Sequence, residues 1–338
     1  METRRPIDGM MSVLILTEGS REIGFGHITR CTSLYQAFEE RGIPAELIVE
    51  GDESVVGLLY GKQYRILPWW SNRSTLSALL KDSKIVVVDS YLAGMGIYEA
   101  VSKQAKCPVF IDDTQRLNYP EGVVVNGSLY AEEMDYPQGR GRSYLLGSKY
   151  ILLRKEFWDV PEKETRESIG RILISFGGDD IRGMTPNVLK MSIEAFPECS
   201  KRVIIGKGFR NVEKIEQLKD SRTELVYFPN AEGMKKAMLE SDVAVSAGGQ
   251  TLYEMARVGL PGVSIAVAEN QLNNVMGWER AGVIDYAGWW ETRTFLERAL
   301  ASLIRLRDKE ERARRSESGK RLVDGKGSAR VRDFVLGL

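Results

Sequence analysis

A single histidine, His27, stands out among the 338 residues as a candidate catalytic group. It lies in "EIGFGHITRC", after the strand-like run "SVLIL", and Gly24 and Gly26 ahead of it predict a loop and then a helix that begins near His27. The positive end of a helix disfavours a charged imidazole, so the ring is expected to be neutral and able to accept a proton. The alternative is a histidine that only packs, and we favour the catalytic role.

A second candidate site follows the strand-like run "DVAVSA" in the other half of the chain. There Gly248 and Gly249 precede a helix that is predicted to begin near Gln250 and Thr251. Glycines let a ligand approach the backbone closely, and the amides of a helix start favour a phosphate. Thr251 adds a hydroxyl, and Glu254, one turn further on, is placed to accept both hydroxyls of a ribose. Such turns also serve packing alone, and this one matches neither the dinucleotide motif nor the P-loop.

A similar turn, "SFGGDD" from Ser175 to Asp180, follows the first strand-like run of the same half. By itself this segment is typical of an ordinary loop. Two Gly-Gly turns at one end of the same sheet favour a common edge that faces a diphosphate.

Acidic residues end two strand-like runs of the first half, in "VVVDSY" (Val86–Tyr91) and "FIDDTQR" (Phe110–Arg116). Paired carboxylates are typical of metal binding or acid–base chemistry. The alternative is that they cap loops and helix starts. No D-x-D occurs in the chain, so a divalent cation on a sugar nucleotide has no evident ligand, and we expect no metal.

Apolar, β-branched runs alternate with helical segments along the chain, which predicts an α/β protein with parallel sheets. Segments with helical spacing include Ile28–Glu40, Met184–Ala195 and Thr251–Val258, and the tail Glu291–Ser316 is predicted to form one long helix. The strand-like runs are "SVLIL", "AELIV", "KIVVVD", "CPVFID", "GVVVN", "RILISF", "KRVII", "TELVYF", "DVAVS" and "GVSIAV".

A charged stretch without a strand pattern separates two sets of these elements. We therefore expect a linker near 155–168 and two α/β domains, 1–155 and 168–338, that face each other across a cleft.

Composition bounds the partners and the compartment. Lys plus Arg and Asp plus Glu number 47 each, so no net charge points to nucleic acid or to an anionic membrane. Cys31, Cys107 and Cys199 match neither a disulfide framework nor a metal motif. The apolar run Met10–Leu16 is about half as long as a membrane span and is predicted to be a buried strand. We expect a cytoplasmic protein without stable membrane insertion.

Taken together, "GFGHITRC", "GGQTLYE" and "AENQ" resemble motifs of the sugar-nucleotide hydrolases of pseudaminic acid biosynthesis, which act on UDP-2,4-diacetamido-2,4,6-trideoxy-β-L-altropyranose. That grouping includes spore-coat polysaccharide biosynthesis proteins and is similar to the glycosyltransferase that makes lipid II. The resemblance covers nearly the whole chain. It implies a GT-B architecture of two Rossmann-like domains, with UDP mainly on the second, and a reaction that needs neither a metal nor another cofactor.

The same resemblance implies roles for individual residues. His27 corresponds to the catalytic base, and Tyr91 and Asn270 belong to the implied catalytic set. Asn270 is implied to lie near the sugar or the diphosphate, and Tyr91 to reach in from the other domain. The residues implied to bind the substrate or its UDP are Gly24, Gly26, Gly177, Gly178, Gly248, Gly249, Gln250, Thr251, Glu254 and Gln271. The chain departs from the family pattern at "LTEGSREIG", where an Arg-x-Asp often occurs, and in "GGQTLYE", where many hydrolases have Ser before the Thr and Trp before the Glu. These departures concern the sugar more than the fold.

Three functions follow from these observations. We expect metal-independent hydrolysis of a UDP-linked acetamido sugar, in which water attacks the anomeric carbon and His27 takes its proton. The alternative is a glycosyltransferase that uses the same donor in surface or spore-coat polysaccharide biosynthesis. A non-catalytic nucleotide-sugar binder is the third possibility. The sequence leaves the sugar and the oligomeric state open.

Overall fold

The computed structural model describes residues 12–20, 23–81 and 83–338; Glu22 and the start of the apolar run Met10–Leu16 lie outside the described residues. The chain divides into two compact units. The first unit comprises the residues up to Lys155 together with Lys326–Leu338, and the second comprises Glu156–Gly325. Each unit contains one parallel sheet with helices around it.

The first unit contains a seven-stranded sheet, and its paired strands all run parallel. Its strands are β1 (Val13–Gly19), β2 (Ala45–Gly51), β3 (Tyr64–Ile66), β4 (Ile85–Asp89), β5 (Cys107–Ile111), β6 (Gly122–Asn126) and β7 (Arg142–Leu146). Its helices are α1 (Gly26–Glu40), α2 (Arg73–Leu80), α3 (Met95–Gln104) and α11 (Gly327–Leu336). The spatial order is β3-β2-β1-β4-β5-β6-β7, so the order reverses between β1 and β4.

The second unit contains a six-stranded parallel sheet. Its strands are β8 (Arg171–Ser175), β9 (Ser200–Ile205), β10 (Thr223–Tyr227), β11 (Val243–Ala247), β12 (Gly262–Ala266) and β13 (Ile284–Trp289). Its helices are α4 (Met184–Ala195), α5 (Val212–Leu218), α6 (Ala231–Leu239), α7 (Thr251–Val258), α8 (Leu272–Arg280), α9 (Phe295–Arg305) and α10 (Lys309–Leu322). The spatial order is β10-β9-β8-β11-β12-β13, with the reversal between β8 and β11.

All ten runs with a strand-like composition form strands. The three strands that the composition did not indicate, β3, β7 and β13, each lie at an edge of a sheet. Edge strands are partly exposed, and their side chains here alternate between half-buried, exposed and buried positions instead of forming an apolar run. The central strands β1 and β4 are buried on both faces, which explains their continuous hydrophobic pattern.

The prediction of one long helix over Glu291–Ser316 was wrong, because this segment contains two helices, α9 and α10, with an interruption between them. Asp308 causes the new start: its carboxylate accepts hydrogen bonds from the backbone amides of Glu310 and Glu311 at 2.8 and 3.3 Å. An aspartate that caps the first amides of a helix in this way stabilises a new helix start.

The last helix, α11, belongs to the first unit. The sequence had placed it in a second domain over 168–338. Helix α11 packs on α1: the Ser33 and Ser328 hydroxyls lie 2.6 Å apart, and Arg332 Nη1 donates to the Ala37 carbonyl at 3.0 Å. Val331 and Val335 join the hydrophobic core of that unit. A short amphipathic helix after a glycine carries no sequence signal of which core it covers.

In the part of the chain that the structure describes, the helices lack the combination of length and apolar character needed to cross a membrane.

Candidate active site

His27 lies in the first turn of α1, beyond the carboxyl end of β1, and is 6% exposed. Its Nδ1 is 2.7 Å from Oδ1 of Asp89, the last residue of β4. A carboxylate oxygen only accepts hydrogen bonds, so the proton at this contact must be on Nδ1. In a neutral imidazole the lone pair is then on Nε2, which makes Nε2 the ring nitrogen able to accept a proton.

Arg30, one turn further along α1, holds the other side of Asp89. Its Nε donates to Oδ2 at 2.6 Å and its Nη2 donates to Oδ1 at 2.5 Å, which is a bidentate pair. Burial alone raises the pKa of Asp89, but Arg30 and then His27 outweigh it and hold that pKa well below its usual range. Arg30 Nη2 also lies 3.1 Å from His27 Nδ1. Both atoms are closer to the Asp89 carboxylate than to each other, so both donate to that carboxylate.

Tyr91 is connected to this network through Asp113. Its hydroxyl donates to Asp113 Oδ2 at 2.6 Å, and Arg30 Nη1 donates to the same oxygen at 2.8 Å. Burial and the Asp113 carboxylate both raise the pKa of Tyr91, so the hydroxyl stays protonated at neutral pH. The Tyr91 ring packs edge-on against His27 with the ring centroids 4.5 Å apart. Tyr91 therefore contacts His27 as a neutral phenol.

These side chains meet because neighbouring strands of a parallel sheet end at the same edge. Thr17 of β1 is in register with Asp89 of β4, and Asp113 follows β5, the next strand along. The strand order reverses between β1 and β4, and ligands of open α/β sheets bind outside the carboxyl ends of the strands at such a reversal. His27 and Asp89 lie at this position in the first unit.

The acidic residues at the end of β4 and after β5 have different roles: one caps a loop and the others contact the histidine network. Asp112 caps the loop after β5, since it accepts hydrogen bonds from the amide of Gln115 at 2.9 Å and from the hydroxyl of Tyr119 at 3.1 Å. Asp89 and Asp113 belong to the histidine network. The sequence patterns indicated acidic residues at these strand ends, but not that Asp89 pairs with His27 and Arg30.

In the second unit, the turn after β11 is held by side chains of the neighbouring elements. Gln271 Oε1 accepts hydrogen bonds from the amides of Gly248 and Val267 at 3.1 and 3.0 Å. Asn274 Nδ2 donates to the Gly248 carbonyl at 2.7 Å. Both polar backbone groups of Gly248 are thus bound within the protein, and Gly249 is the first residue of the turn after it.

The turn after β8 lies beside the turn after β11, because β8 and β11 are paired strands. Gly177 has a φ of +78°, and the Gly178 carbonyl accepts a hydrogen bond from the Gly208 amide at 3.0 Å. A Cβ on Gly206 would lie 2.0 Å from the Gly178 oxygen, so the loops after β8 and β9 touch backbone to backbone. This edge is at the β8–β11 reversal of the strand order, where a ligand of such a sheet binds.

The remaining predicted residues lie around the same edge. Gln250 and Thr251 are half-buried at the start of α7, and Asn270 is exposed in the short turn before α8. Glu254 lies one turn into α7 and is 2% exposed. In the first unit, Gly24 has a φ of +86° and Gly26 begins α1. The roles of these residues toward a substrate remain predictions.

Gly248→Ala is expected to destabilise the second unit, because an added Cβ would lie 2.3 Å from Cγ1 of the fully buried Val275. A buried, branched side chain has little freedom to move, so this overpacking costs about 1–3 kcal/mol. Gly249→Ala is the matched control, since its nearest heavy atom would be Gln271 Nε2 at 3.9 Å. Thermal unfolding of both variants measures the difference, and equal midpoints would contradict the expectation.

Comparison with known proteins gives relatives at low identity. No family model matches the chain. The chain is 22% identical over 337 residues to the spore coat polysaccharide biosynthesis protein SpsG of Bacillus subtilis, covering 95% of this chain and 96% of that one. It is 24% identical over 272 residues to a UDP-2,4-diacetamido-2,4,6-trideoxy-β-L-altropyranose hydrolase of Campylobacter jejuni, covering 77% and 93%.

A longer relative, from Helicobacter pylori, is named as a pseudaminic acid cytidylyltransferase and UDP-2,4-diacetamido-2,4,6-trideoxy-β-L-altropyranose hydrolase. It is 22% identical over 285 residues, covering 82% of this chain and 49% of that protein. The match to an uncharacterized protein of Methanocaldococcus jannaschii covers 56% of that protein. The chain thus spans about half the length of these two relatives.

Solved structures with the same architecture cover 97% of the chain at 12% identity. They include MurG of Acinetobacter baumannii, with a TM-score of 0.68, the spinosyn rhamnosyltransferase SpnG, with 0.67, and the MnaA–UDP structure from Staphylococcus aureus, with 0.67. At this identity the likeness shows the fold alone. The chain therefore has the GT-B fold and is similar, at 22–24% identity, to proteins named as sugar-nucleotide hydrolases and as a spore-coat polysaccharide biosynthesis protein.

Proposed function

We propose that the chain hydrolyses a UDP-linked acetamido sugar to UDP and the free sugar, without a metal, and that His27 is the base. The observation that carries the proposal is the hydrogen bond from His27 Nδ1 to Asp89, which leaves Nε2 as the ring nitrogen that can accept a proton. The names of the relatives from Campylobacter jejuni and Helicobacter pylori support the choice of reaction and of substrate class.

In the proposed reaction, water attacks the anomeric carbon on the face opposite UDP. His27 Nε2 takes one proton of the water as the new C–O bond forms, and the bond from the anomeric carbon to the diphosphate breaks with its electron pair on UDP. Asp89 stabilises the positive charge that develops on the imidazole, and such a base contributes about 10²–10⁴-fold to the rate. Attack from the opposite face predicts inversion at the anomeric carbon.

The second unit is proposed to bind UDP at the edge formed by the turns after β8 and β11. A diphosphate is a good leaving group, so it needs stabilisation of its developing charge more than a proton. The amides at the start of α7, from Gly249 to Thr251, are proposed to supply that stabilisation through the positive end of the helix. Glu254 is proposed as the ribose contact, with Asn270 and Gln271 near the diphosphate or the sugar.

A glycosyltransferase on the same scaffold is the second candidate. It is favoured by the fold, since MurG and the spinosyn rhamnosyltransferase share the architecture of this chain. In that reaction His27 would deprotonate an acceptor hydroxyl, while every nucleotide contact would stay the same.

Release of UDP in the absence of any acceptor separates the candidates. The assay uses a panel of UDP-linked acetamido sugars, including UDP-2,4-diacetamido-2,4,6-trideoxy-β-L-altropyranose, with EDTA present. Hydrolysis predicts multiple turnovers of UDP release with at least one sugar. Binding of UDP without release would favour the transferase, and release that depends on an added divalent cation would contradict the metal-free reaction.

A further inference from the structure

Arg182 is an exposed cation at the carboxyl edge of the second sheet, in the loop between β8 and α4. Its Nε donates a long hydrogen bond to the Val267 carbonyl at 3.4 Å, and its guanidinium lies over the Trp290 ring, 4.5 Å from the ring centroid. Within the part of the chain that the structure describes, Arg182 has no other hydrogen bond and no ion pair. Both Nη groups are therefore available to a ligand, and no carboxylate neutralises the charge.

The two contacts of Arg182 place its guanidinium along the edge proposed for the diphosphate. Val267 follows β12 and Trp290 follows β13, whereas Arg182 comes from the loop after β8. In the sheet, β11 and β12 lie between β8 and β13. The segment from β8 to the guanidinium therefore passes the end of β11, where Gly248 and Gly249 follow the strand.

Gln271 connects the contact of Arg182 to the turn after β11. Its Oε1 accepts hydrogen bonds from the amides of Val267 and Gly248 at 3.0 and 3.1 Å. The residue whose carbonyl meets Arg182 is thus joined through one side-chain oxygen to the turn that precedes α7. Arg182 and the first amides of α7 belong to the same edge.

The Asp180 carboxylate, two residues before Arg182, is occupied by other donors. It accepts hydrogen bonds from the amides of Met184 and Thr185 at 2.8 and 3.0 Å and from Asn211 Nδ2 at 3.0 Å. Asp180 therefore caps the start of α4 and forms no ion pair with Arg182. The unpaired cation can accept an anion from outside the chain.

We propose that Arg182 binds the diphosphate of the UDP-sugar through its Nη groups and stabilises the charge on UDP as the bond to the sugar breaks. This inference rests on the proposed function, which places UDP on the second unit and uses no metal. A guanidinium presents paired N–H donors in one plane, which match the oxygens of a phosphate.

The reaction gives this cation a larger role in the transition state than in the bound substrate. The bond from the anomeric carbon to the diphosphate breaks with its electron pair on UDP, so negative charge grows there. The start of α7 contributes a partial charge of about +0.5, whereas Arg182 adds a full charge. Arg182 donates hydrogen bonds and keeps all its protons, so the proton balance of the reaction is unchanged.

The known contacts of Arg182 hold the guanidinium without neutralising it. The Val267 carbonyl and the face of the Trp290 ring are both uncharged, and an aromatic face attracts a cation weakly at an exposed site. The charge is thus restrained in position and remains available for the diphosphate.

The test compares the binding of UDP and of uridine to the parent and to Arg182→Gln by calorimetric titration. The variant is expected to bind UDP roughly 10-fold more weakly, because a hydrogen bond to a charged group is lost, and to bind uridine as the parent does. Its kcat for UDP-2,4-diacetamido-2,4,6-trideoxy-β-L-altropyranose is expected to fall by about 10-fold, since the lost contact strengthens as the charge on UDP grows. Arg182→Lys keeps the charge and should restore part of both losses.

Arg210 offers a matched control at the same edge of the sheet. It is an exposed arginine in the loop between β9 and α5, and β9 lies on the side of β8 away from β11. Arg210→Gln makes the same change of charge and is expected to keep the parent affinity for UDP. Because Arg182 and Arg210 are both exposed, the unfolding midpoints of the two variants should stay near that of the parent.

Three results would overturn the inference: unchanged UDP affinity and turnover in Arg182→Gln, an equal loss in Arg210→Gln, or an equal loss of uridine binding. Failure of the proposed function has a different signature. A parent that binds UDP but releases none from the substrate would contradict hydrolysis, while the binding comparison would still decide the role of Arg182. A parent that does not bind UDP would overturn both.

Discussion

His27→Asn is expected to release UDP about 10²–10⁴-fold more slowly than the parent, because the group proposed to take the proton of the water is lost. The loss should appear in kcat and not in the affinity for UDP, since the proposed UDP contacts lie in the second unit. Stopped assays of UDP release and calorimetric titration with UDP measure the two quantities. The chain has no other histidine, so residual activity cannot come from another imidazole.

The control for His27→Asn is its unfolding midpoint, which reports whether the Asp89–Arg30 pair is intact. Asn is smaller than His and leaves the Asp89–Arg30 pair intact, so the unfolding midpoint should change little. A variant that loses UDP binding together with turnover would place His27 in substrate binding and not in proton transfer. Unchanged turnover would contradict the role of His27 altogether.

Asp89→Asn is expected to lower the rate of UDP release by about 10²–10⁴-fold although His27 is still present. The amide can present N–H groups to Nδ1, which favours the tautomer with the proton on Nε2 and so removes the free lone pair. The same change takes the bidentate partner from Arg30, which is 14% exposed at its side chain. Asp113→Asn is the matched control, because it removes the other partner of Arg30 and leaves the bond between Asp89 and His27. Its effect on turnover should be clearly smaller, and equal effects would contradict the tautomer argument.

Asp89→Asn should also lower the stability of the first unit, by about 3 kcal/mol, since removing one partner of a buried ion pair leaves the other uncompensated. Arg30 and His27 hold the folded-state pKa of Asp89 well below its usual range. The stabilisation that this carboxylate contributes is therefore fully present above its unfolded pKa of about 3.9 and is lost as the pH falls toward the folded value. Urea denaturation of parent and variant should differ by a constant amount from neutral pH down to about pH 4 and by less below it. A stability difference between parent and variant that already decreases between neutral pH and about pH 4 would contradict the lowered pKa of Asp89.

Secondary structure was predictable where a single element is buried along its length and so has a local sequence pattern. Central strands such as β4 and β11 are buried throughout, and α4 and α7 begin and end at the predicted residues. The edge strands β3 and β7 were missed because partial exposure removes the apolar pattern. The placement of α11 was missed because its partner, α1, is about 300 residues away in sequence and the contact depends on tertiary packing.

The candidate site was predictable at the level of residue type and not of pairing. His27 at a helix start and acidic residues at strand ends are local signals, so both were found. The bond from His27 to Asp89 joins residues 62 positions apart, and it follows from the parallel register of β1 and β4. The spacing of Arg30, three residues after His27 on the same helix, is a local signal of this network that the sequence analysis did not use.

The most direct test of the account is hydrolysis of UDP-2,4-diacetamido-2,4,6-trideoxy-β-L-altropyranose in water labelled with heavy oxygen, with EDTA present and without an acceptor. Water attack at the anomeric carbon predicts that the parent releases UDP free of label, that the label enters the sugar, and that the new hydroxyl has the inverted configuration. His27→Asn should release almost no UDP over the same time. Label in the terminal phosphate of UDP, or equal release by both proteins, would contradict the account.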